Sequence, residues 1–278
     1  MNKTIGIIGF GNMGQAIAQQ LKNDYQIYCF DKDKSKTSSL SGIQATSNVP
    51  ELLDKTEIII LSIKPQDLDA LLKEIKPYPH LADKVFISIA AGISTFYIEK
   101  NLGIVRVIRA MPNIALTVGE SMTCLCKGKF ATGEDFDAAE DLFEFAGEIL
   151  GLDEAMINAA TAISGSGPAW YFERVNLNYE RWQNNRAAFI KEFIIDLKEA
   201  AIKLGFNPFQ AGFLSSTTAH ASDLMLTKLN KKAIELRDQV ASKGGTTEAG
   251  LKVLHSGGSL IEAIKAAQKR AEELSRGE

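Results

Sequence analysis

The sequence predicts an α/β protein with a doubly wound sheet in residues 1–152, followed by an all-helical C-terminal domain in residues 153–278. Three observations carry this. An apolar run, Thr4-Ile5-Gly6-Ile7-Ile8, passes directly into Gly9-Phe10-Gly11-Asn12-Met13-Gly14. Short apolar runs then alternate with helical patterns as far as Leu152. Beyond Leu152 the alternation stops, and the remaining patterns have helical spacing.

The first run has the continuous apolarity of a fully buried strand. The GxGxxG at its end gains meaning from its neighbours. A helical pattern occupies 13–22 (Ala16, Ile17, Gln20, Leu21) and a second strand 25–30, and Asp31 stands about 20 residues beyond Gly11. Gly9 permits the tight turn, Gly11 lets the backbone approach a pyrophosphate, and Gly14 lets helix and strand pack closely. The helix N-terminus attracts the negative charge. Together these make a Rossmann-type dinucleotide site with Gly9, Phe10, Gly11, Asn12, Met13 and Gly14 at the phosphates. Asp31 would accept from the adenine ribose hydroxyls, which favours NADH, because a 2′-phosphate would meet its charge. Lys32, Lys34 and Lys36 could neutralise such a phosphate or form only a solvated run, so NADPH stays open.

Strands over 57–62, 85–89 and 104–108 follow. They run into Ser62-Ile63-Lys64-Pro65, Ala90-Ala91-Gly92 and Arg109-Ala110-Met111-Pro112-Asn113. Between the first two lies a helical pattern of Leu68, Leu71, Leu72 and Ile75. Ligands of open parallel sheets bind beyond the carboxyl ends of the strands, so these turns should line a cofactor crevice. Pro65 and Pro112 singly read as helix-starting or turn prolines; their placement at strand ends argues for function. A strand over 122–125 and an amphipathic helix over 132–145, started by a Thr132/Asp135 capping box, complete this domain.

In the second domain a small-residue helix over 155–162 is broken by Ser164-Gly165-Ser166-Gly167-Pro168-Ala169, which starts another. Helices over 208–226, 231–240, 247–254 and 259–274 follow, the first rich in Ser, Thr and Ala and suited to close helix contact. Between the second and third of these stands Ser242-Lys243-Gly244-Gly245-Thr246-Thr247. Adjacent glycines let the backbone approach a small molecule, and the hydroxyls of Ser242, Thr246 and Thr247 sit beside amides at a helix start, where anions are favoured. The loop reads as a carboxylate pocket, or more simply as a Gly-Gly helix stop followed by a Thr cap.

Composition narrows the function. A net charge of -3 and a pI near 5.8 give no basic field for nucleic acid or anionic lipid. Cys29, Cys124 and Cys126 cannot all pair and lack CxxC spacing, which points to buried thiols and a reducing cytoplasm. His80, His220 and His255 have no metal-ligand spacing, so no metal is expected. The longest uncharged runs, 155–172 and 206–222, carry polar residues throughout and would not cross a bilayer. The first strand is too short and too quickly broken by glycine to be a signal peptide.

With GxGxxG, Ile63-Lys64-Pro65, Ala90-Ala91-Gly92, Met111-Pro112-Asn113, the Ser164–Ala169 motif, Arg237-Asp238-Gln239-Val240 and Gly244-Gly245-Thr246-Thr247 in order, the chain resembles the pyrroline-5-carboxylate reductases from about Thr4 to about Leu274. The resemblance implies NAD(P)H-dependent reduction of 1-pyrroline-5-carboxylate, a cyclic imino acid, to L-proline, the last step of proline biosynthesis. It implies a helical domain that forms a homodimer, often in rings of dimers. Carried over by motif, Gly9 to Gly14, Asn48, Ser62 to Pro65 and Ala90 to Gly92 would contact the cofactor. Met111 to Asn113 would flank the nicotinamide and active site, with Met111 and Asn113 among the substrate-binding residues. Ser242, Gly244, Gly245, Thr246 and Thr247 would hold the substrate carboxylate, with Thr247 as the catalytic hydroxyl near the ring nitrogen. Hydride transfer to an imine needs orientation rather than a metal or a nucleophile.

Ser121 stands where the family usually has glycine and Lys243 where proline is common; neither is expected to touch the chemistry. The larger departure is at 170–188, about 19 extra residues that hold Trp170, Trp182, Arg174, Arg181 and Arg186, close to five whole helical turns. An aromatic, basic surface for nucleic acid fits the net charge poorly. Val175, Tyr179, Trp182, Phe189, Phe193, Leu197, Ala200 and Leu204 instead recur at helical spacing. They predict one long helix over 168–204, or a pair broken near Asn184-Asn185, extending the subunit interface. A β-hydroxyacid dehydrogenase would need a catalytic lysine in the second domain, and Lys191, Lys198 and Lys203 lie in no such motif. A cofactor-sensing protein without turnover would have no use for the loop at Ser242.

Overall fold

The computed structural model describes residues 3–38 and 40–276. Its apolar runs form β1 (Thr4–Ile8), β2 (Gln26–Phe30), β3 (Ile43–Ala45), β4 (Ile58–Leu61), β5 (Val85–Ser88), β6 (Arg106–Met111), β7 (Ser121–Lys127) and β8 (Gly147–Gly151). They lie in the order β3-β2-β1-β4-β5-β6-β7-β8. From β3 to β6 every pairing is parallel; Ile5 stands opposite Ile27 on one side and Ile58 on the other, and Ile87 opposite Ile60 and Ile108. Five helices accompany the sheet: α1 (Asn12–Leu21), α2 (Val49–Lys55), α3 (Leu68–Ile75), α4 (Thr95–Leu102) and α5 (Gly133–Glu144). Leu52, Leu68, Leu72 and Ile98 from the helices share one buried cluster with Ile59, Phe86 and Val107 from the strands. This is the apolar face that the continuous strand runs required.

The chain forms two compact units, Met1–Met111 with Leu125–Glu154, and Pro112–Cys124 with Ala155–Glu278. Residues 112–124, which the sequence reading places in the first domain, thus group with the helices. The second unit holds α6 (Glu154–Ala160), α7 (Gly167–Leu177), α8 (Tyr179–Asn184), α9 (Arg186–Lys203), α10 (Pro208–Leu229), α11 (Ala233–Val240), α12 (Thr246–His255) and α13 (Leu260–Arg276). Thr161–Gly165, between α6 and α7, is a single π-helical turn, a feature that often accompanies functional sites. The expected capping box on α5 is present, with Asp135 N–H donating to Thr132 Oγ1 at 3.2 Å and Thr132 N–H to Asp135 Oδ2 at 2.8 Å.

The segment 168–204 departs from the single helix. One break falls at Asn185, as the two-helix alternative has it, and a second at Asn178. Both asparagines leave the helical region, with φ/ψ of −136°/41° and −145°/55°, and Asn178 Nδ2 donates back to the Arg174 carbonyl at 3.0 Å. Such local bonds compete with helix continuation. The predicted stripe is buried at Val175, Phe189, Phe193, Leu197 and Ala200, but Tyr179 is exposed and Trp182 only half-buried. Trp170, Tyr171 and Phe172 are core residues, so the segment is not a surface appendage. Its arginines are all ion-paired: Arg174 to Asp196, Arg181 to Glu192 and Arg186 to Asp223. Among the described residues no helix is long and apolar enough to cross a membrane.

Candidate active site

β1 lies between β2 and β4, where the strand order reverses, so its carboxyl end opens on the crevice of the first unit. Gly9 turns the chain there with φ 93°, a region side chains avoid. A Cβ on Gly14 would overlap the Gly9 carbonyl oxygen, so close packing requires that glycine. Gly11 differs, because a Cβ there would stand in open space. Gly11 is also the N-cap of α1 and gives its first-turn amides no side-chain hydrogen bond. An open glycine before an uncapped helix start fits a dinucleotide pyrophosphate.

A cavity of 380 Å³ lies at this edge, lined by Gly9, Gly11, Asp31, Ser62, Ile63 and Lys64 among others. Its volume is in the range of small-molecule sites. Asp31 Oδ2 accepts from Phe10 N–H at 2.7 Å, and its Oδ1 accepts from Asp33 N–H at 2.8 Å. Lys36 Nζ sits 3.4 Å from each oxygen. Asp31 therefore holds the glycine turn to β2, and a ribose hydroxyl would take the place of the long Lys36 contacts. Asp33, Asp67 and Glu74 also line the cavity and were not singled out from sequence. Hydrogen bonds from the Ser35 hydroxyl and N–H hold the Asp33 carboxyl below its ordinary range.

The other expected cofactor residues fall outside that lining. Phe10 is buried, Asn12 and Met13 begin α1, Pro65 begins a short 3-10 turn, and Ala90, Ala91 and Gly92 form the turn after β5. Asn48 caps α2, its Oδ1 accepting from Glu51 N–H at 2.8 Å.

Met111 ends β6, half-buried. Asn113, only 2% exposed, belongs to the second unit. Its Nδ2 donates to the Ser164 carbonyl at 3.2 Å and its Oδ1 accepts from Ala115 N–H at 3.1 Å. Ser121, set aside in the sequence reading, has a part here: its hydroxyl accepts from Asn113 N–H at 3.1 Å and from the Thr123 hydroxyl at 3.1 Å. All three cysteines are buried, and burial pushes the thiols of Cys29 and Cys124 up to about 11 and about 12. Such thiols are poor nucleophiles.

The loop from Ser242 to Thr247 joins α11 to α12. Gly244 takes φ 71°, and Gly245 has no room for a Cβ beside the Ser242 hydroxyl. Two of its N–H groups are already used, Gly244 N–H on Glu248 Oε2 at 3.1 Å and Gly245 N–H on the Ser242 carbonyl at 3.0 Å. Bonding to Lys252 and to Gly244 N–H holds the Glu248 carboxyl below its ordinary range. Arg270 Nε donates to the Gly244 carbonyl at 2.9 Å. Gly245, the N-cap, offers α12 no side-chain bond, so the helix start has no side-chain cap where an anion would be favoured. Ser166, from the Ser164–Ala169 motif, joins both threonines. Thr247 Oγ1 donates to Ser166 Oγ at 3.0 Å, and Ser166 Oγ lies 3.2 Å from Thr246 Oγ1. Thr247 is 4% exposed. Ser242 stands exposed at the start of the loop.

Comparison with known proteins agrees with both halves. Residues 4–92 match the model of the NADP oxidoreductase, coenzyme F420-dependent, family, and residues 185–274 that of pyrroline-5-carboxylate reductase dimerisation. A pyrroline-5-carboxylate reductase of Aquifex aeolicus (strain VF5) is 30% identical, with 97% of each chain covered. One from Arabidopsis thaliana is 31% identical over 98% of this chain and 95% of its own. A solved pyrroline-5-carboxylate reductase from Coxiella burnetii, 29% identical, superposes with a TM-score of 0.66 and covers 99% of both chains. A Plasmodium falciparum pyrroline carboxylate reductase with NADP bound gives 0.62 at 26% identity, over 99% of this chain and 98% of that one. With the Rossmann-type cleft, the threonine loop and these full-length likenesses together, the chain belongs to the pyrroline-5-carboxylate reductase family.

Proposed function

We propose that this protein reduces the C=N bond of 1-pyrroline-5-carboxylate to give L-proline, using NAD(P)H. The observation that carries the reading is the hydroxyl chain Thr246, Ser166 and Thr247 at the uncapped start of α12. A carboxylate on the first-turn amides is favoured by the helix dipole, and Ser242, Gly244 and Gly245 shape the turn around it. Thr247 spends its proton on Ser166, so its lone pairs can accept from the N–H of a protonated ring nitrogen. The residues thus orient a charged imine without a general base.

The backbone of Gly9 to Gly14 would hold the cofactor pyrophosphate and Asp31 its ribose, with Ser62, Ile63 and Lys64 beside them. When bound, the nicotinamide supplies the hydride. Asn48, Pro65 and Ala90 to Gly92 are carried as further cofactor contacts, and Met111 and Asn113 as neighbours of the nicotinamide, from the family motifs. We read Asp31 as favouring NADH; a more than tenfold NADPH preference in kcat/KM would overturn that. The protein works as a homodimer and further as a ring of dimers. The exposed Ile195 and Ile202 on α9, and Phe209 at 74% exposure on α10, supply an apolar face for it. Light scattering on the purified chain tests this, with a monomer as the contrary result. Its setting is the cytoplasm, where buried thiols stay reduced.

The deciding assay follows NAD(P)H oxidation with 1-pyrroline-5-carboxylate, and separately with a 2-keto and a 3-hydroxy acid. Turnover is expected with the imine alone. Turnover with an open-chain acid alone would remove the reading.

A further inference from the structure

The substrate loop is a short length of backbone between α11 and α12, so its shape is set only when both helices are held. Both are held by one carboxylate. Glu173 on α7 is 4% exposed. Its Oε2 accepts from Arg237 Nη1 at 2.6 Å, and its Oε1 lies 3.0 Å from His255 Nε2. Arg237 is in the last turn of α11, just before Ser242, and His255 closes α12, whose first turn carries Thr246 and Thr247.

The same helix grips the loop a second time. α7 starts behind Ser166, the residue bonded to both threonines. Glu173 is seven residues further along, roughly 10 Å at the rise of an α-helix. Trp170 lies between the two grips, 1% exposed, with its Nε1 donating to the Ala162 carbonyl at 3.0 Å. Its ring fills the space where a Cβ on Gly250 of α12 would go.

A buried carboxylate is costly unless paired. Here it is fully paired only when the end of α11 and the end of α12 are both in register with α7. We propose that Glu173 is a positioning residue for the substrate loop. Acting through Arg237 and His255, it holds Ser242 to Thr247 in the arrangement that takes the substrate carboxylate. Its carboxylate bonds to the helices that flank the loop and not to the loop's own hydroxyls. The inference rests on the reading above that this loop is the carboxylate site.

The expected kinetics follow from population. If loss of the anchor leaves the competent loop about one-tenth populated, KM for the imino acid rises about tenfold while kcat, measured once substrate is bound, changes little. Glu173→Gln keeps the shape and removes the charge. It should raise KM for 1-pyrroline-5-carboxylate about tenfold, with kcat within about threefold and the Kd of NAD(P)H within about twofold. Arg237→Met should give the same pattern and Arg237→Lys should recover most of the affinity. The Glu173→Gln/Arg237→Met pair should be no worse than Glu173→Gln alone, since both remove one interaction.

A purely structural role predicts a lower Tm with unchanged KM, and that result overturns the proposal, as does parallel loss of KM, kcat and cofactor Kd. If Glu173→Gln does not fold, His255→Ala, at a half-exposed side chain, still decides. KM rises about two- to threefold if the anchor matters, and an unchanged KM there and in Arg237→Met overturns it. Ser242→Ala and Thr247→Ala, run alongside, keep two failures apart. If they leave KM and kcat unchanged, the carboxylate site is elsewhere and the inference falls with it. If they impair the reaction while the Glu173 and Arg237 variants do not, only the anchoring falls.

Discussion

Two of the helix-starting glycine loops, those before α1 and α12, are built on opposite plans. The loop before α1 is open: Phe10 N–H is tied to Asp31, but Gly11 faces open space and the first turn of α1 has no side-chain cap. The loop before α12 is crowded. Glu248, Arg270 and the Ser242 carbonyl occupy its backbone, and Ser166 occupies its hydroxyls. An extended cofactor with a diphosphate can be held by backbone shape alone. A small ring with a single carboxylate offers few handles, so its loop must be fixed beforehand by protein contacts that the ligand does not supply. Side-chain substitutions should therefore hurt the second loop, and added Cβ atoms the first.

The largest effect expected is at Gly14. Alanine there must displace the Gly9 carbonyl, which costs about 3 kcal/mol and should abolish cofactor binding; thermal unfolding and cofactor titration measure both, and a neutral result would break the packing account of the first loop. Next comes Thr247→Ala, expected to cost about 1.5–3 kcal/mol, ten- to a hundredfold in kcat/KM. Activity within twofold of the parent would remove Thr247 from the site. Gly11→Ala sharpens the contrast from the other side. Stability should stay within about 0.5 kcal/mol, since nothing is near, while cofactor Kd rises about tenfold, or 1.4 kcal/mol. Smallest is Lys36→Ala. Its half-exposed pair with Asp31 is worth under about 1 kcal/mol, so stability should hardly move, while the NADH to NADPH ratio should rise as a cation leaves the ribose pocket.

The first loop was legible in the sequence because its parts are local: strand, glycines, helix and acid follow one another, and each has its own backbone requirement. The second loop was legible as a motif but not as a mechanism. Its partner Ser166 lies about eighty residues away, and nothing in the sequence marks Arg270 as a contact of the loop or Glu173 as a contact of the helices that flank it. Ser121 looked incidental because a hydroxyl supporting the backbone N–H of Asn113 shows only once the chain is folded. Short elements also escaped. β3 has one buried residue in three, too few for a period, and α4 is announced mainly by the Ser94 cap. In the long segment, the stripe of Val175, Phe189 and Phe193 was read correctly, but Asn178 fits a helical pattern as well as it fits a break.

Asp223 has a consequence for how the helical unit opens. Its carboxylate, on α10, accepts from the Tyr171 hydroxyl at 2.8 Å and from Trp182 Nε1 at 2.9 Å, and pairs with Arg186. Three helices, α7, α8 and α9, thus end on one oxygen pair, and none can swing away without stranding a buried charge. α8, six residues long, would not persist as a helix by itself. Its amides should nonetheless exchange with solvent only as slowly as those of α10, in one cooperative unit that melts together rather than fraying from its short middle.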